Sequence, residues 1–143
     1  MTQVSEVMTR GVHTLPPTES ILKAAQAMRE MDVGAIPVCD GQQLLGMVTD
    51  RDIVLRAVAE DRVAHDTPLS QVMTQDACWC FEDQSVDEAA EAMREAQVRR
   101  MPVVDREKHL VGMLSLGDVA TKAGEEQAGQ ALEGISEPTR PAR

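Results

Sequence analysis

The chain has 143 residues, 14 of them basic and 24 acidic, for a formal net charge of −10. That length suits one ordinary domain or two very small ones sharing a core. The charge argues against general binding to nucleic-acid backbones or anionic membranes, both of which call for clustered Lys and Arg. Apolar residues reach 43%, enough for a core, yet no stretch approaches the ~18 uninterrupted apolar residues of a membrane span. The start, MTQVSEVMTR, lacks the charged-then-apolar pattern of an export signal, so a cytoplasmic protein with reduced thiols at Cys39, Cys78 and Cys80 is expected rather than a disulfide framework. Trp79 and Phe81 are the only aromatic residues, and nine Met share the core with aliphatic side chains. A surface that stacks sugars or single strands is not expected.

In chain order, a strand-like run at Val12 to Leu15 precedes a turn. Thr18 then suits a helix N-cap. Behind it Ile21, Ala24, Ala25 and Met28 recur at helical spacing and predict an Ala-rich apolar face. Ala35 to Cys39, an Asp40-Gly41 turn and Leu44 to Thr49 predict a β-hairpin. A last helix begins after Thr49 and carries Ile53, Leu55, Ala57 and Val58. The polar stretch EDRVAHDTP, Glu60 to Pro68, is a connection.

The same series then returns. Ala77 to Phe81 is strand-like, Asp83 suits an N-cap, and Val86, Ala89, Ala90 and Met93 mark a helix. A hairpin turns around Arg106-Glu107-Lys108, and a final helix starts after Ser115 with Val119 and Ala120. The likeness is literal. Ser5-Glu6-Val7-Met8-Thr9 returns as Ser70-Gln71-Val72-Met73-Thr74, and Ala27-Met28-Arg29-Glu30 as Ala92-Met93-Arg94-Glu95, both 65 positions on. After one inserted residue Gly46-Met47-Val48-Thr49 pairs with Gly112-Met113-Leu114-Ser115, and Asp52 with Asp118. The chain therefore reads as a first repeat over 1–62, a linker over 63–68, a second repeat over 69–123, and a frayed or disordered tail over 124–143, rich in Gly, Glu, Gln and Pro. One β-α-β-β-α unit alone leaves a sheet face bare and is marginal. The fold class is thus α+β, with two repeats packed sheet to sheet in pseudo-twofold symmetry and a cleft between them.

The arrangement of VMT, an Ala-rich helix, a PV hairpin and GMVTDRD resembles the tandem cystathionine-β-synthase-type (CBS) domain pair, or Bateman module. The runs GMVTDRDIVLRAVAE and VRRMPVVD are similar to those of small stand-alone bacterial members. The resemblance covers residues 4 to about 122. It implies a regulatory module that binds adenine nucleotides or related adenosyl ligands in the inter-repeat cleft and dimerises into a flat disc.

Thr49-x-x-Asp52 and Ser115-x-x-Asp118 sit where strands give way to helices. They read equally as capping boxes, although Asp is shorter than the usual Glu and reaches back poorly. They read also as ligand sites, since a helix start offers N–H groups and a positive dipole end to phosphate. A carboxylate one turn in can accept two ribose hydroxyls. The resemblance implies the second role, with ribose and phosphate as the contacts. It also implies that the His13, Thr14 and Leu15 backbone reads the adenine edge. Small Gly34-Ala35 would leave room for a base against Ile36 and Pro37. Positive charge differs between the copies: Arg51 in the first, Arg99 and Arg100 ahead of Met101 and Pro102 in the second. These arginines clamp a phosphate bidentately, or they pair on the surface with acids such as Asp50 and Glu95.

Trp79 matches Thr14, and there it can stack on a base, block the cleft or pack between layers, the last being expected. Cys78-x-Cys80 points to one strand face, away from Trp79. Cys78 and Cys80 with His13 or His65 lack the usual Cys-x-x-Cys knuckle spacing, so no metal site is expected and buried thiols are. No Walker loop, GxGxxG or Ser/His/Asp arrangement accompanies the scattered His13, His65 and His109. No catalytic residue and no catalytic cofactor is expected, and the adenine nucleotide serves as a regulatory ligand. The chain thus reads as a sensor acting on an unidentified effector protein. Alternatives are a mainly ligand-independent dimerisation module or an S-adenosylmethionine binder; the arginines lean toward AMP, ADP, ATP or NAD.

Overall fold

Two serines open the two long helices. In the computed structural model, which describes residues 2–123, the elements run α1 (Ile21–Met31), β1 (Ala35–Asp40), β2 (Gln43–Thr49), α2 (Asp50–Ile53), β3 (Cys80–Phe81), α3 (Val86–Ala96), β4 (Arg100–Val104), β5 (Leu110–Ser115) and α4 (Leu116–Asp118). Single 3₁₀ turns stand at Val4–Glu6 and Leu69–Gln71. This mixed content of helices and small sheets is an α+β fold. The expected frayed tail, 124–143, lies outside the described residues.

Ser20 accepts the Lys23 N–H at 3.2 Å, and Ser85 accepts the Glu88 N–H at 3.1 Å. The caps expected at Thr18 and Asp83 are therefore displaced by two residues. Ser20 and Ser85 have extended backbone and a hydroxyl in reach of the third helical N–H, as an N-cap requires. Both long helices end in a left-handed residue, Asp32 (φ 55°) and Gln97 (φ 57°), the usual way to stop a helix sharply. Ile21, Ala24 and Met28 bury the inner face of α1, as Val86, Ala89, Ala90 and Met93 bury that of α3. Ala25, expected on that face, is exposed, unlike its counterpart Ala90.

The chain packs as two compact units, and these do not follow the repeats as the sequence lays them out. One unit is 13–77; the other combines the N-terminal residues through Val12 with those from Cys78 onward. In the 13–77 unit β1 and β2 pair antiparallel, Ala35 opposite Thr49 and Pro37 opposite Met47. Gly41 turns the hairpin with a φ of 62°, the sign a tight II′ loop needs at its first position. The expected strand at Val12 to Leu15 shrinks to one parallel bridge between Leu15 and Val38. Gly11 is left-handed just before it, and Pro16 and Pro17 follow without N–H donors, so no ladder can extend. On the other edge Thr74 bridges Met47. The core joins Ile21, Ile36, Val38, Val48 and Ala57 to Leu69, Val72 and Met73.

In the second unit β3 pairs parallel with β4, which pairs antiparallel with β5. Of the expected Ala77 to Phe81 strand, only Cys80 and Phe81 join the sheet. Thr9 bridges Met113 at its far edge, and Val4, Val7 and Met8 enter a core with Val86, Met93, Met101, Val103 and Leu114. The VMT segment of each repeat therefore completes the unit built from the other repeat.

Both short helices relax into π winding, α2 over Val54–Val58 and α4 over Val119–Ala123. Leu22, Met31, Val54, Leu55, Val58 and Val63 of the 13–77 unit are exposed large apolar side chains. No helix among the described residues is long and apolar enough to cross a membrane.

Candidate functional site at the Thr-x-x-Asp and Ser-x-x-Asp helix starts

The hairpin register fixes the surroundings of each helix start. Ala35 lies opposite Thr49, and the Asp50 N–H donates to the Gly34 carbonyl at 2.9 Å. In the other unit Arg100 lies opposite Ser115, and the Leu116 N–H donates to the Arg99 carbonyl at 3.0 Å. Gly34-Ala35 thus borders Thr49 and Asp52, with Arg51 between them, while Arg99-Arg100 borders Ser115 and Asp118. A Cβ on Gly34 would come within 3.1 Å of the Asp50 carboxylate, so a larger side chain there would press on the helix start.

Asp52 reaches back in full. The Thr49 N–H donates to Asp52 Oδ2 at 3.0 Å, and the Asp52 N–H donates to Thr49 Oγ1 at 3.0 Å. Ser115 and Asp118 repeat the pair at 3.1 Å each way. The capping-box reading therefore holds, and the expectation that Asp reaches back poorly does not. A strand residue with extended backbone brings its N–H close enough for the shorter acid. Asp52 is one of few buried polar residues, 8% exposed, while Asp118 is half-buried. Arg56 stands 4.0 Å from Asp52 Oδ1 and donates to the carbonyls of Val72 and Met73 at 3.3 and 3.2 Å.

The helix starts are poorer phosphate sites than the sequence implies. In α2 the N–H groups of Asp50, Arg51 and Asp52 are all taken, by Gly34 O, Asp50 Oδ1 and Thr49 Oγ1. In α4 those of Leu116 and Asp118 are taken as well. What remains for an anion is arginine. Arg51, Arg99 and Arg100 are exposed, and among the described residues none enters an ion pair, so the pairing with Asp50 or Glu95 weighed from the sequence is not formed.

Several predicted residues serve the core with their side chains. Ile36 is 1% exposed and Met101 is fully buried, and Pro37 and Pro102 are buried too. Only their backbone can face a ligand, so a base cannot rest on the Ile36 side chain. His13 is exposed and Thr14 half-buried; Leu15 exchanges backbone hydrogen bonds with Pro37 O (3.1 Å) and Cys39 N–H (3.0 Å). The Leu15 N–H and carbonyl are thus committed to the sheet.

Trp79 does not pack between layers. It is 37% exposed, meets Phe81 edge-on at 5.0 Å, and has the Lys108 ammonium 5.6 Å from its ring. Alternation along the strand sends Cys78 and Cys80 the other way, toward the core. Burial raises all three thiol pKa values, and the adjacent Cys78 adds to the effect on Cys80, which is pushed up to about 12. Such thiols stay protonated at neutral pH. A surface depression of about 250 Å³ lies against Phe81, Asp83 and Arg106 and contains no predicted site residue. Its wall is the bidentate Arg106–Asp83 pair, at 2.9 and 2.8 Å. The Asp52 and Asp118 helix starts differ from it in combining a carboxylate and a hydroxyl with arginines that, among the described residues, enter no ion pair.

Sequence reasoning missed the threonines of the VMT segments. Thr74 Oγ1 donates to Asp52 and Thr9 Oγ1 to Asp118. The VMT repeat was the available signal, but its partner lies in the other repeat.

Comparison with known proteins shows the family and the fold. The CBS domain family model matches residues 4–58 and 69–125. The chain is 42% identical over 137 residues to the CBS domain-containing protein YhcV of Bacillus subtilis, covering 95% of this chain and 96% of that one. Among solved structures it resembles Hypoxic Response Protein I with two coordinated zinc ions (TM-score 0.77, 36% identity, 84% of this chain and 98% of that one). It also resembles PAE2072 of Pyrobaculum aerophilum complexed with AMP (0.76, 27%, 90% and 98%). The CBS domain pair of MJ0100, in complex with 5′-methylthioadenosine and S-adenosyl-L-methionine, is similar as well (0.74, 25%, 88% and 98%). Adenosine is the moiety common to the ligands of the last two.

Proposed function

This chain belongs to the CBS-domain family, and from that membership we propose that it is a non-catalytic regulatory module for an adenosine-bearing small molecule. Asp52 and Asp118 take the ribose hydroxyls, and Arg51, Arg99 and Arg100 take phosphate. The observation that carries this reading is that, among the described residues, none of those three arginines enters an ion pair, and each stands beside a Thr/Ser-x-x-Asp helix start. An exposed guanidinium with no protein partner is available for bidentate phosphate contact. A sulfonium ligand gains nothing from that charge, so AMP, ADP, ATP or NAD come before S-adenosylmethionine. Calorimetry with AMP on the full chain tests it. Saturable heat that falls in Arg51→Ala or Arg100→Ala supports the reading; tighter binding of S-adenosylmethionine than of AMP overturns the phosphate assignment.

The module acts in the cytoplasm on an effector protein, as a homodimer. The exposed Leu22, Val54, Leu55 and Val58 favour self-association, because large apolar side chains are costly to leave in water. The position equivalent to Leu22 in α3 is Asp87, so the 13–77 unit supplies that apolar contact. The same residues support a second reading, an interaction module that needs no ligand. Sedimentation with and without AMP separates them: a dimer in both, with no AMP heat, selects the second.

A further inference from the structure

The two aspartates are held by hydroxyls that arrive from distant parts of the chain. Thr74 Oγ1 stands 3.1 Å from Asp52 Oδ1 and 3.2 Å from Oδ2. Thr9 Oγ1 stands 3.3 and 3.4 Å from the two oxygens of Asp118. Each threonine is fixed by its own backbone. Thr74 exchanges two hydrogen bonds with Met47, at 2.8 and 2.9 Å, and Thr9 exchanges two with Met113, also at 2.8 and 2.9 Å. Met47 and Met113 each lie two residues before the Thr49 or Ser115 that starts the helix. The hydroxyl is therefore delivered from the sheet, at a set height above the carboxylate.

The terminal torsion of an aspartate is intrinsically broad, so the plane of its carboxylate must be set by its partners. At Asp52 the Thr49 N–H fixes Oδ2, and the Thr74 hydroxyl, bracketing both oxygens, fixes the plane. An ionised carboxylate has about four acceptor sites, so these two donors leave room for two more. A cis-diol offers two hydroxyls in fixed relation. It is sensitive to the angle of that plane in a way a single donor is not.

We propose that Thr74 and Thr9 are positioning residues for ribose recognition, each setting the carboxylate of the aspartate that reads the diol. The proposal rests on the assignment of Asp52 and Asp118 to the ribose. The shorter hydrogen bonds and deeper burial at Asp52 make Thr74 the stronger of the two.

The test compares AMP with 2′,3′-dideoxy-AMP by calorimetry on the full chain and on Thr74→Val, Thr74→Ser and Thr9→Val. Wild type binds AMP more tightly than the dideoxy compound. Thr74→Val weakens AMP about tenfold, the order expected for a hydrogen bond acting on a charged group, and leaves the dideoxy affinity unchanged. Thr74→Ser restores AMP binding. Thr9 is exposed, so Thr9→Val repeats the experiment without disturbing a core, with a smaller loss of the same selectivity. Equal weakening of both ligands by Thr74→Val assigns the residue to structure alone and overturns the proposal, as does unchanged AMP binding in both valine variants. Wild type binding the two ligands equally removes the ribose assignment itself, a failure that is visible before any threonine is changed.

Discussion

Gly46 lies against the carbonyl oxygen of Thr74 so closely that a Cβ there would overlap it. Gly112 stands in the same relation to Thr9, where a Cβ would come within 2.8 Å of the carbonyl oxygen and of Met8 Sδ. These contacts seat the VMT segments on the sheet edges. Backbone cannot yield as a flexible side chain does, so Gly46→Ala is expected to destabilise the fold by about 1–3 kcal/mol, the range for overpacking. Urea unfolding measures it, and a midpoint unmoved from wild type would show that the segment is not seated as described.

Asp52→Ala should weaken both folding and nucleotide binding. It leaves the Thr49 N–H and the Thr74 hydroxyl without their acceptor, at a cost of about 1–3 kcal/mol, and loss of the proposed ribose contact should weaken binding by a similar amount. Asp118→Ala should cost less in each measurement, since Asp118 is more exposed and its threonine bonds are longer. Equal losses at the two positions would refute this asymmetry.

The Arg106 guanidinium holds the Asp83 carboxyl below its ordinary 3.8, chiefly through the hydrogen bond between them. A carboxyl lowered on folding contributes stability that is present above its unfolded pKa and is lost as pH falls through the folded value. The window therefore lies in acid, below about pH 4. Both groups are solvated, so the effect on stability is small and the titration itself is the better readout. The Asp83 carboxyl carbon, followed by NMR, should titrate below 3.8 in wild type and move up in Arg106→Ala. No movement would mean the pair is not formed in solution.

Trp79 reports on its own unit without labels, being the only Trp in a chain that lacks Tyr. Its ring is edge-on to Phe81 and partly in water. Binding confined to the Asp52 site is expected to give calorimetric heat with nearly constant Trp79 emission. A saturable emission change that vanishes in Asp118→Ala but persists in Asp52→Ala would make the second unit the working sensor.

What could be read from the sequence was local or periodic. The duplication follows from identities 65 positions apart, and the helix faces and both hairpins from spacing within a few residues; the structure has them, except that Ala25 leaves the α1 face. The N-caps were misplaced because Thr18 and Ser20, like Asp83 and Ser85, are two cap-type residues only two apart. Choosing between them requires knowing where the extended backbone ends. The first strand shrinks for a reason legible in the sequence, the Pro16-Pro17 pair that follows it without N–H donors. The threonine partners of Asp52 and Asp118 lie 22 and 109 residues away, and no local pattern encodes such a pairing. The engagement of the Asp50 N–H is equally hidden, since Gly34 O meets it only once the hairpin has closed, whereas the Asp52 N–H to Thr49 bond is the capping box legible in the sequence.

The exchanged VMT segments change what a break in the chain would do. A protease cut in the exposed 63–66 stretch yields one fragment that carries β1, β2 and the Val4–Thr9 segment, and another that carries β3 to β5 and Leu69–Thr74. Each fragment owns the edge that the other's sheet lacks. The nicked protein should stay together through a reciprocal handshake with no covalent tie, and two separately made halves should find each other on mixing. Either half alone would keep an open sheet edge and an uncovered core.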